Sequence, residues 1–184
     1  MPSSPVHATD VLSFWFEEIS PRQWWEKSEE FDHLIATRFG AVQASASRGE
    51  LAAWRATAEG RLAEVIVLDQ FSRNIHRDSA LAFACDGMAL VLAQESVAAG
   101  ADRLLPVEHR TFLYMPWMHS ESPLIHLAAV KLFSQPGLEN NLNFELRHKA
   151  IIDRFGRYPH RNQALGRVST AQEIEFLTQP GSSF

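Results

Sequence analysis

The sequence has 184 residues, of which 46% are hydrophobic and 21% are charged, a balance typical of a globular protein and not of a disordered one. This length suits one domain with a sizeable core. No stretch approaches the roughly 18 uncharged apolar residues of a membrane-spanning helix, and the first ten residues lack the features of a secretory signal. We therefore expect a cytoplasmic protein without membrane contact. The single cysteine, Cys85, excludes a disulfide framework within the chain and a cysteine-based zinc site.

The net charge of -5 is distributed unevenly. Residues 147–167 contain six Arg or Lys residues and one acid, whereas the rest of the chain has eleven basic and twenty-one acidic residues. A nucleic-acid-binding protein needs a wide positive face, so this distribution argues against one. It favours either a local site for an anion or arginines that neutralise acids across the fold.

The first three predicted elements are helices, because apolar residues recur with a period near 3.6. Thr9 or Asp10 is the expected N-cap of the first helix. Ser28 is the expected N-cap of the second, which stops before Gly49. A third helix is predicted from about 57 to 72.

The next predicted helices follow the same rules. Asp78 or Ser79 is expected to start the fourth, which ends at Gly100. Pro106 suits the first position of the fifth helix, and Pro123 suits that of the sixth.

Two further helices complete the chain. One covers about 138–155 and stops at Gly156, and the last begins with the capping-box spacing of Thr170–Glu173. No segment alternates long enough to predict a strand. The sequence therefore predicts an all-α domain over residues 9–184, with about eight helices in antiparallel pairs, after a flexible segment 1–8.

Three of these helices carry an ionisable residue on an apolar face. Asp69 and Arg73 continue the stripe of the third helix and are four residues apart, so they can pair. Arg110 lies within the apolar face of the fifth helix. In the long helix, His148 lies near the centre of the stripe that Phe144, Ile151, Ile152 and Phe155 form. Unpaired buried charges cost several kcal/mol, so we expect either a structural ion network or a polar site where these helices meet.

Two loops add candidate ligand-binding residues. His119, Ser120 and Glu121 precede a helix start, where free backbone N–H groups favour an anion. The segment 154–162 places arginines next to Gly and Pro, which fix a turn. It is either a solvated basic loop or an arginine-lined pocket for a carboxylate or phosphate.

Enzyme and metal signatures give little support for a reaction. Glu145 and His148 have the Glu-x-x-His spacing of di-iron bundles, with Glu145 toward the edge of the apolar stripe. No matching partner helix is found, so no metal site is predicted. Phosphate-binding glycine loops and zinc-protease motifs are missing from the sequence, and the identity of any cofactor stays unknown. His119 or His160 remains a candidate general acid or base, with Glu121 or Asp69 as its partner.

Several long segments are similar to those of a known family. These are VLSFWFEE, FDHLIATRFG, VIVLDQFSRNIHRDSALAFACD, FLYMPWMHSE and RHKAIIDRFGRYPHRNQALGRVSTAQEIEFL. In this order they resemble the bacterial family called domain of unknown function 924. The resemblance implies an all-α fold similar to tetratricopeptide-repeat superhelices, and it implies no activity.

The resemblance also carries over a set of polar positions. The family's motif usually has a proline where this chain has Ser72, and proline would end or kink the helix there. The matching positions are Asp69, Gln70, Arg73, Asn74, His119, Ser120, Glu121, His148, Arg157, His160, Arg161 and Asn162.

These observations lead to one main hypothesis and two alternatives. The main hypothesis is a helical scaffold whose inward Arg- and His-rich site binds an anionic small molecule or an acidic peptide segment. Arg73, Arg110, Arg157 and Arg161 would be its donors. The alternatives are an enzyme that uses His119 or His160 in the same pocket, and a purely structural network with an interaction surface elsewhere. The sequence leaves the oligomeric state open.

Overall fold

The computed structural model describes residues 6–183, and these are helical or irregular, with no strand among them. The all-α class is therefore confirmed. The expected flexible segment 1–8 falls largely on residues 1–5, which lie outside the described residues, and its last residue already belongs to a helix.

The described α-helices are short to medium in length. They are α1 Ala8–Ser13, α2 Glu29–Ser47, α3 Ala58–Ile66, α4 Ser72–Ile75, α5 Asp86–Ala98, α6 Val107–Met118, α7 Pro123–Phe133, α8 Glu139–Phe155 and α9 Ala171–Leu177. Two π-helical segments, Phe14–Glu18 and Val67–Phe71, follow α1 and α3 directly. Five 3-10 helices are Pro21–Trp24, Ala52–Ala56, Ala80–Phe83, Ala101–Leu104 and Pro159–Arg161. Because the second π-segment joins α3 to α4, the described chain has about eight helical rods, as the sequence predicts.

Several of the predicted helix starts and stops are confirmed. The side chains of Ser28 and Thr57 each accept a hydrogen bond from the backbone N–H three residues later, at 3.2 and 3.0 Å. Thr170 and Glu173 form the expected capping box. Gly156 ends α8 with φ of 69°, a left-handed conformation that favours glycine. These caps supply partners for backbone groups that a helix end leaves without them.

The predicted start of the first helix is wrong by two or three residues. The helix begins at Ala8, with His7 as its N-cap. Asp10 lies inside the first turn, and its carboxylate accepts the backbone N–H of His7 at 2.7 Å. The acid therefore caps the helix from its third position, which the sequence pattern did not distinguish from the N-cap.

The predicted fourth helix is divided in two. The 3-10 helix Ala80–Phe83 comes first, and α5 starts only at Asp86. Asp78, the expected N-cap, has φ of 60° and precedes the 3-10 turn. Pro106 lies one residue before α6, not at its first position.

The chain divides into two compact units. The first contains the described residues up to Arg77 together with Leu81–Pro116, and the second contains Asp78–Ala80 and the residues from Trp117 onward. The sequence analysis expected one domain over 9–184, and this remains a prediction.

The first unit has an aromatic core. Trp15, Phe14, Phe39, Phe71 and Phe112 are almost completely buried. The rings of Phe39 and Phe71 are 4.8 Å apart between centroids, and those of Trp15 and Phe112 are 5.5 Å apart. Such contacts add to the large apolar area that each ring removes from water.

The second unit is built on the hairpin of α7 and α8, followed by the 3-10 turn Pro159–Arg161 and α9. Its apolar core includes Ile151, Ile152 and Tyr158. Phe144, expected on the buried stripe of α8, is 51% exposed. The buried face of α8 is rotated instead toward Glu145 and His148.

One stretch of the described residues, Ala80–Ala98, has the length and hydropathy of a membrane-spanning helix. In the structure it is interrupted between the 3-10 helix and α5. It also contains Asp86, which forms an ion pair with Arg73. Ionisable residues are costly inside a bilayer, so this segment gives only weak support for a membrane span.

Candidate functional site

The predicted site residues of the first unit centre on Asp69, which is fully buried within the π-segment Val67–Phe71. Arg73 Nη1 lies 3.1 Å from Asp69 Oδ1, the ion pair that the spacing predicts. The two terminal nitrogens of Arg73 also bond to the two carboxylate oxygens of Asp86, each at 2.9 Å. Gln70 Nε2 donates to Asp69 Oδ2 at 2.6 Å. Two carboxylates thus hold one guanidinium in a fixed orientation.

The π-segment changes the direction of the side chains on this rod. π-helical turns are rare and occur frequently at functional sites. Ser72, which stands where the related motif has proline, is buried and accepts a hydrogen bond from Gln43 Nε2 at 3.1 Å. The helix continues past Ser72 to Ile75, so the chain does not end the rod at this position.

Asn74 and Arg110 take separate positions within the first unit. Asn74 Nδ2 donates to Asp32 Oδ1 at 2.8 Å, and Arg77 forms an ion pair with the same carboxylate. Arg110 Nε donates to the backbone carbonyl of Leu105 at 3.0 Å.

The predicted site residues of the second unit surround Tyr158, which is fully buried. The guanidinium carbon of Arg161 lies 4.6 Å from the centroid of the Tyr158 ring. The ring centroids of His160, His148 and His126 lie 5.6, 5.8 and 6.4 Å from that of Tyr158. We call these five residues the Tyr158 cluster.

His126 is the most deeply buried imidazole of the Tyr158 cluster, and it contacts Glu145. Its Nε2 lies 2.8 Å from the Ser120 carbonyl, which can only accept, so Nε2 carries a hydrogen. Nδ1 lies 2.7 Å from Glu145 Oε1, and one proton must occupy that contact. Burial raises the pKa of Glu145, whereas the hydrogen bond from His126 acts in the opposite direction. The pair is therefore a hydrogen bond between two fully buried side chains, with one proton between Nδ1 and Oε1.

His148 is held neutral by its surroundings. Its Nδ1 lies 2.8 Å from the backbone carbonyl of Phe144, so Nδ1 carries the hydrogen. Burial lowers the pKa of His148 to about 3, and nearby His119, His126 and His160 contribute to the shift. His148 is consequently an uncharged imidazole at neutral pH.

Glu121 binds an arginine that the sequence analysis did not single out for the site. Arg167 Nη1 and Nη2 donate to the two oxygens of Glu121 at 2.7 and 2.9 Å. The backbone N–H of Tyr158 also donates to Glu121 at 2.7 Å. These hydrogen bonds lower the pKa of Glu121, against the effect of its burial. The contact joins the loop before α7 to the loop before α9.

Arg157 and Asn162 have partners within the same loop region. Arg157 forms a bidentate pair with Glu173, at 2.7 and 2.8 Å. Asn162 is buried, donates to Ser169 Oγ at 3.0 Å and accepts from Arg167 Nε at 2.9 Å. Both residues thus fix the path of the chain between α8 and α9.

The structure brings the predicted residues together in two groups. Asp69, Gln70 and Arg73 contact each other in the first unit, and His148, His160 and Arg161 lie around Tyr158 in the second. Their predicted convergence in one site joins residues of different units and remains a prediction.

Sequence reasoning missed four participants: Asp86, His126, Glu145 and Arg167. Glu145 had been assigned to the edge of the α8 stripe and is instead fully buried. A helical wheel that places His148 inward puts Glu145, three residues earlier, near the same face, so the signal was present. His126 lies on an apolar helix and offered a similar signal. The sequence contains no such signal for Asp86 and Arg167, because their partners, Arg73 and Glu121, are distant in the chain.

The described residues offer charge-assisted donors and imidazoles, and no group of three or more His, Cys, Asp or Glu side chains among them could hold a metal ion. The first unit also has an open depression of about 470 Å³ beside the N-terminal turn of α2. It is lined by Gln23, Ser28, Glu30 and Leu34, among others. None of these is a predicted site residue.

Comparison with known proteins identifies relatives without an assigned activity. A family model described as a bacterial protein of unknown function, DUF924, matches residues 11–181. A solved structure of a protein of unknown function from Agrobacterium tumefaciens, ATU0120, is 36% identical, with a TM-score of 0.87. The match covers 92% of this chain and 96% of that one. The comparison with curated proteins gives no match. Because the family model spans nearly the whole chain, this protein belongs to the DUF924 family of bacterial proteins.

Proposed function

We propose that this protein is a cytoplasmic helical scaffold whose Tyr158 cluster binds an anionic group, from either a small carboxylated or phosphorylated molecule or an acidic peptide segment. The observation that supports this proposal best is the gathering of three imidazoles and one guanidinium around a single buried tyrosine. Such polar clusters are costly to bury and often mark sites.

The donor groups around the cluster suit an anion. A buried guanidinium, that of Arg161, lies there with three imidazoles, and the carboxylates described beside them are Glu121 and Glu145. Glu145 is engaged by His126, and Glu121 by Arg167. A carboxylate or phosphate would accept hydrogen bonds from such donors, and arginine would hold it by charge-assisted hydrogen bonds.

The contacts narrow the set of expected donors. Arg73 and Arg157 each hold a carboxylate of this chain in a bidentate pair. Either would have to release that carboxylate before it could bind an external anion. The proposal uses Arg161 and His160 as donors because both lie against the Tyr158 ring, with His148 as a neutral neighbour.

A thermal-shift titration tests the proposal. Inorganic phosphate, pyrophosphate, citrate and a hexaglutamate peptide are titrated separately, because a ligand that binds only the folded state raises the Tm. We expect at least one of these anions to stabilise the protein. Arg161→Lys keeps the charge but loses the planar fork, so it should weaken that anion about tenfold. His160→Gln should also weaken binding.

Arg147→Gln is the matched control, because Arg147 lies in the same basic segment and its guanidinium faces the Phe144 ring, outside the Tyr158 cluster. It should leave the affinity within about twofold. If none of the four anions raises the Tm, or if Arg147→Gln weakens binding as much as Arg161→Lys, the proposal is wrong.

A second candidate is a purely structural network, favoured by the internal carboxylate pairs of Arg73, Arg157 and Arg167. It predicts that Arg161→Lys lowers the Tm and leaves any response to anions unchanged. General acid or base catalysis by His119 or His160 remains a prediction, since no contact described here selects a reaction.

A further inference from the structure

A partly exposed aromatic surface lies in the first unit and uses no residue of the Tyr158 cluster. It consists of Phe16, Trp24, Trp25 and His109, and we call these four residues the Trp25 patch. The first three pack on the buried Phe112 ring. The Trp24 and Phe112 rings are 5.0 Å apart and nearly perpendicular, and Trp25 and Phe112 are 6.1 Å apart and nearly parallel. Phe16 contacts both Trp24 and Phe112 through its edge or face.

The patch presents one large ring to solvent on a fixed support. Trp25 is 59% exposed. Its neighbour Trp24 donates its indole N–H to the Trp15 carbonyl at 2.9 Å, which ties this loop to the core. The 3-10 helix Pro21–Trp24 starts with a capping box at Ser20, so the loop is also fixed locally. An exposed tryptophan held in this way is ready to contact a ligand without ordering first.

His109 extends the aromatic surface. Its ring lies 3.8 Å from that of Phe16, with an angle of 16° between the planes. Burial lowers the pKa of His109, although nearby carboxylates oppose the shift. The ring is therefore uncharged at neutral pH and does not repel a cation.

Three carboxylates act on this ring electrostatically: Glu108, Glu59 and Glu17. Glu17 accepts a hydrogen bond from Ser13. Within residues 6–183, none of the three carboxylates has an Arg, Lys or His side chain in an ion pair.

The basic groups on the adjacent loop are few. Arg22 forms an ion pair with Glu26, and Lys27 follows it in the chain. The Trp25 patch thus offers aromatic faces, which attract cations. Near its His109 ring lie three carboxylates that have no basic partner in the described part of the chain.

We infer that the Trp25 patch binds a basic segment of another protein, through Lys or Arg side chains that lie over the aromatic rings. The negative charge of the three carboxylates selects a cationic occupant. A single cation–π contact at an exposed site is weak, and the surface is open, so a small ammonium ion would gain little. A peptide with several cationic side chains can use the rings and the carboxylates together. The depression of the first unit is lined in part by Gln23, the chain neighbour of Trp24, and would give room for the peptide backbone.

Isothermal titration calorimetry at low salt tests the inference, with an acetylated and amidated hexa-arginine peptide as the probe. The matching hexa-citrulline peptide has almost the same shape without charge and should not bind. Trp25→Ala should weaken hexa-arginine about three- to fivefold, as expected for loss of one exposed cation–π contact. The triple variant Glu17→Gln/Glu59→Gln/Glu108→Gln should weaken it about tenfold or more.

A second triple variant controls for net charge. Glu95, Glu139 and Glu175 are exposed and have no ion pair in the described part of the chain. Their replacement by Gln changes the net charge equally and should leave affinity within about twofold. Phe144→Ala removes an exposed ring of the second unit and should have no effect. The inference is overturned if hexa-arginine does not bind, if hexa-citrulline binds equally well, or if the control triple weakens binding as much as the patch triple.

Discussion

The interiors of the two units differ in chemistry. The first unit buries Phe14, Trp15, Phe39, Phe71 and Phe112 in mutual ring contacts. The second buries fewer large apolar side chains and more ionisable ones. These are His126, Glu145, His148, Arg161 and Glu173, against Glu64, Asp69 and Asp102 in the first unit. A ring in a core is stabilised by whatever apolar atoms surround it, whereas a buried ionisable group needs particular partners.

This difference has consequences for how each unit tolerates change. Removal of apolar atoms costs free energy in proportion to the area and cavity involved. Removal of one partner from a buried polar pair leaves the other buried without a hydrogen bond. The resulting loss of stability is larger than the net stabilisation that the pair provided. We therefore expect substitutions in the aromatic core of the first unit to lower the free energy of unfolding in proportion to the apolar atoms removed. Substitutions of buried ionisable groups in the second unit should lower it more, by an amount that depends on pH.

The largest effect is expected from Glu145→Ala in the second unit. This substitution leaves the fully buried His126 ring without its acid, so the free energy of unfolding should fall by about 3–5 kcal/mol. The double variant His126→Leu/Glu145→Leu replaces the pair by apolar side chains and should lose less than Glu145→Ala. Urea unfolding of the three proteins measures these differences.

Asp153→Ala is the control on the same helix. Asp153 is exposed and pairs with Lys149 on the surface, so its loss should cost about 0.5 kcal/mol or less. A double variant less stable than Glu145→Ala would contradict the description of the pair as costly to break and replaceable by apolar packing.

A smaller effect is expected at Gly60, where the first unit leaves no room for a side chain. A Cβ added there would lie 1.9 Å from the backbone oxygen of Trp54. Because a carbonyl cannot move aside as the end of a side chain can, Gly60→Ala should destabilise the protein by about 1–3 kcal/mol.

Gly40→Ala is the matched control for Gly60→Ala. Gly40 lies inside α2, and a Cβ there meets nothing within 4 Å. This substitution should stabilise the protein by about 0.5–1 kcal/mol through reduced entropy of the unfolded chain. Thermal and urea unfolding should show a loss of stability for Gly60→Ala and a gain for Gly40→Ala. A change of the same sign in both variants would mean that the Trp54 carbonyl does not exclude a side chain at Gly60.

Most of the fold could be predicted because helix signals are local. The caps at Ser28, Thr57 and Thr170 lie within four residues of the groups they satisfy, so one sequence contains both partners. The π-segment at Asp69 was not predicted, because this rod is buried on all sides and apolar residues occupy most of its positions. A change in side-chain direction within such a segment leaves little trace in the apolar pattern. The break before α5 was missed because alanine-rich sequence suits a continuous helix equally well.

The candidate site was harder to predict, because its contacts are distant in the chain. Arg73 was expected to pair with Asp69, four residues away, and it does. Its second partner, Asp86, and the partner of Glu121, Arg167, depend on how separate segments pack. The wheel of α8 placed Phe144 inside because apolar residues are usually buried. The structure buries Glu145 instead, since His126 on α7 supplies its partner.

The pH dependence of stability is the finest test of the difference between the units. His148 in the folded protein has a pKa of about 3, against 6.5 as its ordinary value. Below pH 6.5 the unfolded chain therefore binds a proton that the folded chain does not, so stability is complete above pH 6.5 and falls as the pH decreases from 6.5 toward 3. The contribution should not exceed about 1.4 kcal/mol per pH unit. His148→Leu should flatten the slope of the unfolding free energy between pH 6.5 and 5, measured by urea unfolding.

His109 of the first unit also has a lowered pKa, from partial burial, so His109→Leu should flatten the same slope less. If the unfolding free energy of His148→Leu changes with pH as steeply as that of the unsubstituted protein, the imidazole of His148 is not held neutral. The polar interior of the second unit then does not determine how strongly acid destabilises the protein.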